Sequence, residues 1–128
     1  MKTDTPKESP SVTTSNRDQC WETDSTVIAF GAIADDGREY QFSYAHYLNL
    51  IRSANPELEN NPKAPRERME IYFSTGEVVV LGSYMSRVSG YVQKGHLKCI
   101  RRGSEATDAH HPTPVQIHSV TVILKENP

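Results

Sequence analysis

A chain of 128 residues, 36% of them hydrophobic, is long enough for one domain and too short for two self-stabilising ones. Its formal charge of −2 argues neither for nor against a charged partner, though a pI near 6.2 lies far below that of a typical dedicated nucleic-acid binder. No apolar run approaches the roughly 20 residues that span a bilayer, and a polar start without an apolar h-region predicts no secretory leader and a cytoplasmic location.

Residues 1–24 are rich in Thr, Ser, Pro, Asp and Lys and nearly free of apolar side chains. Such a stretch buries too little surface to offset its ordering entropy, so a disordered tail is expected there and one folded domain over 25–128. Trp21 is the exception, expected to pack onto the domain. Residues 26–34 are β-branched and apolar and run into Asp35-Asp36-Gly37, a hairpin signal because glycine accepts the positive φ of a type I′ turn. The return strand, 38–44, alternates Tyr40, Phe42 and Tyr44 with Glu39, Gln41 and Ser43, the pattern of an antiparallel sheet with one wet face. Residues 45–53 fit helical spacing through Tyr44, Tyr47, Leu48 and Ile51, and equally a strand at 48–52 pairing with 69–74. The strand makes one continuous meander and is preferred. Segment 54–67, with Pro56, Pro62, Pro65, Asn55, Asn60 and Asn61, reads as a mobile surface connection.

The stretch from 68 to 102 organises the rest. Met69, Ile71 and Phe73 alternate with Glu70, Tyr72 and Ser74, Thr75-Gly76 turns the chain, and 78–81 is apolar on both faces. That predicts a central strand covered on both sides. Ser83 is placed to cap a helix over 84–94, whose apolar stripe is Tyr84, Met85, Val88, Tyr91 and Val92, ended by Gly95. Gly90 weakens that helix by roughly 1 kcal/mol against alanine, unless it serves a close approach to the sheet. A strand over 96–101 would put Leu97 and Cys99 on one side and Lys98 and Ile100 on the other. After a loop stiffened by Pro112 and Pro114, 115–125 closes the fold as a β-branched strand. Of the two cysteines, Cys20 is expected as a semi-exposed thiol and Cys99 as a buried hydrophobe, without a disulfide.

Chemistry-bearing residues cluster in three places. Arg87, Lys94, Lys98, Arg101 and Arg102 fall in a window with no acidic residue. Lys94, His96, Lys98, Arg101 and Arg102, with Tyr91 for stacking, form a candidate surface for a phosphate backbone or an acidic partner. Gly82, Ser83 and Tyr84 stand at a strand-to-helix joint whose amides are a weaker anion candidate. His110, His111 and His118 are the metal suspects, opposed by the lack of paired cysteines and of a His-Glu-x-x-His helix. No Gly-x-Ser-x-Gly elbow and no glycine-rich phosphate loop occurs, and no cofactor is implied.

The expectation is therefore an α+β fold: an antiparallel curled sheet of about six or seven strands on one amphipathic helix. The favoured function is a small non-catalytic binding or accessory module for a protein or acidic partner, with nucleic acid a lesser option and no membrane. The alternatives are a small metal-binding protein or hydrolase using the loop histidines, and a self-associating subunit, a homodimer through the final strand.

Overall fold

The computed structural model describes residues 20–104 and 114–125. They form two sheets and one α-helix. The strands are β1 (Trp21–Thr23), β2 (Ala29–Ile33), β3 (Glu39–Ser43), β4 (Tyr47–Ala54), β5 (Glu67–Phe73), β6 (Gly76–Ser83), β7 (Leu97–Ile100), β8 (Gly103–Ser104) and β9 (Gln116–Leu124), with α1 (Ser86–Gln93) between β6 and β7. One sheet runs β1-β7-β2-β3 and the other β4-β5-β6-β9-β8. Among the described residues no helix is long and apolar enough to cross a membrane.

Two sheets replace the single curled sheet expected, and the reason is local. The β2–β3 hairpin turns at Asp36-Gly37, with Gly37 at φ 90, and pairs in register from Ala29↔Ser43 to Ile33↔Glu39. A 3₁₀ turn at Tyr44–His46, whose first amides Ser43 caps by accepting from Ala45 N, then carries the chain out of that sheet. β4 therefore begins a new sheet against β5, as the pairing of 48–52 with 69–74 anticipated. The first sheet is completed by β7, which lies antiparallel to β1 and parallel to β2, so it is mixed rather than antiparallel throughout. β1 itself falls within the stretch read as polar tail. Trp21 is only 8% exposed there and its ring packs on Tyr91 at 5.6 Å.

The sheets meet across one core. Phe42 of β3 stacks on Phe73 of β5 at 4.7 Å and Phe30 of β2 lies 5.9 Å from the same ring. Met69, Ile71, Val78, Val80 and Val120 line the opposite wall, and Met85, Val88 and Val92 of the α1 segment close it. β6 is central, as its apolar run predicts. Its outer face is not capped by a further layer of described chain. Val79 is buried in register between Glu70 and Thr121, beside a side-chain relay in which Tyr72 donates to Glu70 at 2.5 Å and Arg68 Nε to the same carboxylate at 2.6 Å. Those two donors, the tyrosine first, hold the Glu70 carboxyl below its usual range.

The helix starts later than its apolar stripe suggests. Ser83 still belongs to β6 and its hydroxyl accepts from Arg66 N, so it caps no helix. Tyr84 takes φ 61, Met85 becomes the N-cap without a side-chain bond, and the Glu67 carboxylate accepts from Met85 N. The C-terminus follows expectation. Gly95 sits at φ 73, with Gly95 N bonded to Val92 O and His96 N to Tyr91 O, the paired bonds of a Schellman motif. Gly90 makes no close approach, since an added Cβ there would meet nothing within 4 Å.

Bulges break the period-two pattern twice. In β7 the register slips so that Glu22 faces Cys99 but Thr23 faces Leu97, leaving Lys98 as the extra residue. Leu97 and Ile100 both turn inward at 0% exposure, which corrects the expected pairing of Leu97 with Cys99 on one side. In β9 the slip falls between Leu81↔Ser119 and Gly82↔Ile117, so Ile117 and Val120 are both buried and His118 is left outside. The cysteines exchange their expected environments. Cys20 is 1% exposed, while Cys99 is half-buried beside Glu22, and both thiols are free. β9 is not a bare edge either: β6 pairs along its length, and β8 and Asp35 occupy part of its other side.

Candidate anion-binding cleft

The expected mobile loop is a folded connection built by asparagines. Asn55, 3% exposed, accepts from Glu57 N, donates to Pro65 O at 2.9 Å, and its own amide bonds Arg66 O. Pro56 follows at the first position of a 3₁₀ turn, Pro56–Glu59, where its missing N–H costs nothing. Asn61 repeats the device, its side chain accepting from Lys63 N and its carbonyl from Ala64 N, so that Ala64 is buried. The consequence is positional. Lys63 and Arg66 are delivered beside the end of β6, where Arg66 N is anchored on Ser83 Oγ at 3.3 Å.

β8 supplies the facing wall. Arg101 N bonds Cys20 O at 2.8 Å, which ties the chain after β7 to the buried Cys20, and Gly103 and Ser104 then pair with Ile117 and Gln116. Gly103 takes φ 148, a conformation glycine tolerates without strain. Gly82 is a close-approach residue, since a Cβ there would lie 2.2 Å from Gln116 O. Between these walls lies a cleft of about 630 Å³. Lys63, Arg66 and Arg102 line it together with His118, Tyr84 and Ser104. No Asp or Glu lines it among the described residues, and there the Lys63, Arg66 and Arg102 side chains make no ion pair.

The structure thus joins residues that the sequence kept in separate clusters. Gly82, Ser83 and Tyr84 line the cleft with Arg102 and with His118. They do so from the strand end, because the Met85 amide at the helix start is engaged by Glu67. The other members of the basic window lie elsewhere. Lys98 and Arg101 line a different cleft beside Glu22, Asp24 and Glu39, and Arg101 pairs with Glu22 at 3.9 Å. The Lys94 ammonium sits over the Tyr91 ring at 5.7 Å, and that ring already contacts Trp21. The backbone of His96 is bonded by Asp24 N at 2.9 Å. His110 and His111 lie outside the described residues, and among those described no group of three or more metal-ligating side chains is placed to hold an ion.

Lys63 and Arg66 were missed by the sequence reading. Their signal was present as Asn55-Pro56, a cap followed by proline, and Asn61-x-Lys63, an Asx turn. The chain matches no known protein-family model, no curated protein and no solved structure.

Proposed function

We propose that this chain is a small non-catalytic binding module that holds an anionic group of an acidic partner or ligand in the Lys63–Arg66–Arg102 cleft. One observation carries the reading: three cationic side chains, two from the 54–67 connection and Arg102 from the distant β7–β8 link, converge on a single concavity without an acidic neighbour in its described wall. Arg101 and Arg68, outside the cleft, are each paired with a carboxylate, Glu22 and Glu70. Convergent like charges repel one another, and a bound anion relieves that repulsion while accepting charge-assisted hydrogen bonds. Guanidinium groups suit phosphate or carboxylate because their planar fork donates two parallel bonds. All three cations are exposed, so salt should screen the interaction.

The test is chromatographic. Wild-type protein should be retained on phosphocellulose at low salt and released as salt rises. Arg66→Glu/Arg102→Glu should flow through, whereas Lys98→Glu, outside the cleft, should be retained like wild type. Arg101 is avoided as a control, because a glutamate there would face Glu22 and loosen the β1–β7 pairing. Equal retention of the double variant and wild type would contradict the assignment.

A further inference from the structure

We infer that the anion held in this cleft is the phosphate of a nucleotide, whose base stacks on Tyr84. The inference rests on the reading of the cleft as an anion site and adds the chemical class of the ligand. Tyr84 is unusual in two independent ways. It is the single non-glycine residue with positive φ among those described, at φ 61, and a bulky side chain in that region is held there against its preference. It is also the one tyrosine whose ring and hydroxyl have no partner among the described residues. Tyr44 donates to Leu97 O, Tyr72 to Glu70, Tyr40 meets Arg38, Tyr47 packs edge-on against Phe73, and Tyr91 lies against Trp21. Tyr84 is 46% exposed on the wall of the cleft instead.

The left-handed backbone at Tyr84 is what makes the chain turn out of β6 before α1 begins, so the ring is presented beside the cations rather than packed in the core. An unpartnered aromatic face next to convergent cations is the pairing that nucleotides use: phosphate on the guanidinium groups, base on the ring. The cleft volume of about 630 Å³ falls in the range of small-ligand pockets. Ser104 and Gln116, both exposed on the same wall, supply neutral polar groups for the sugar or the base edge.

Calorimetric titration at low salt tests this with adenosine monophosphate, ribose 5-phosphate and inorganic phosphate against wild type, Tyr84→Phe and Tyr84→Gly. Glycine suits φ 61, so the Gly variant keeps the backbone and removes only the ring; its melting curve checks that it folds. Wild type and Tyr84→Phe should bind the mononucleotide about tenfold tighter than ribose 5-phosphate, and Tyr84→Gly should erase that difference while leaving phosphate binding unchanged. A folded Tyr84→Gly protein that keeps the tenfold preference overturns the stacking role. Equal binding of all three probes by wild type overturns the nucleotide but leaves the anion site standing, whereas no binding of any probe overturns both. A short single-stranded oligonucleotide separates the sources. Tighter, more salt-sensitive binding than the mononucleotide assigns the base to a strand, and equal or weaker binding assigns it to a free nucleotide; either supports the shared chemistry.

Discussion

Tyr44 shows how a single side chain ties the two sheets together. Its hydroxyl donates to Leu97 O at 2.6 Å, and its ring lies 6.4 Å from both Phe30 and Phe73, one from each sheet. Burial, the largest influence, pushes its phenol well above the usual tyrosine range. Tyr44→Phe should cost about 1 kcal/mol near neutral pH, measured by urea denaturation, because a buried carbonyl loses its donor. An acid whose folded pKa is raised contributes stability that is present below its unfolded value and lost as pH rises through the folded one. The wild-type protein should therefore lose stability above pH about 10 and the gap to Tyr44→Phe should narrow there. A gap that stays constant to high pH would contradict the buried, neutral phenol. Cys99 follows the same physics: burial first, then Glu22, pushes its thiol up to about 11, which leaves it a poor nucleophile at neutral pH.

At the scale of elements, two glycines separate conformational from steric need. Gly90 lies inside α1 with open space around it, so Gly90→Ala should stabilise the protein by about 1 kcal/mol in thermal or denaturant melts. Gly82 lies where β6 crosses β9, and a methyl group 2.2 Å from Gln116 O forces the strands apart. Gly82→Ala should cost about 1–3 kcal/mol or more. Opposite signs are predicted for the same substitution, and equal effects would show that the strand crossing is not as close as described. Alternation was legible wherever the ladder is regular: Met69, Ile71 and Phe73 are buried and Tyr40, Phe42 and Tyr44 share a face, as their spacing implied. It misled at Leu97 and Cys99, because the bulge at Lys98 adds one residue and nothing local in sequence marks it. The helix stripe gave the right core residues in Met85, Val88 and Val92 but the wrong start, since Tyr84 obeys the turn out of β6 rather than helical spacing.

Over the whole molecule, the division into two sheets follows from the Tyr44–His46 turn and the parallel β2–β7 pairing, neither of which short-range patterning encodes. The same non-locality governs the cleft. Charge density along the sequence pointed to 86–102, yet strand direction sends Arg102 to one side of the molecule and Lys98 and Arg101 to another, among carboxylates. Lys63 and Arg66 come in from a loop whose fold depends on two asparagine side chains. The cationic concavity is thus a product of tertiary structure, and backbone amide shifts read it most directly. Titration of ¹⁵N-labelled protein with inorganic phosphate at low salt should move the amides of Arg66, Ser83, Tyr84, Gly103, Ser104 and His118 and leave those of Lys98 and Cys99 in place. Shifts confined to Lys98 and its neighbours, or no shifts at all, would contradict the account.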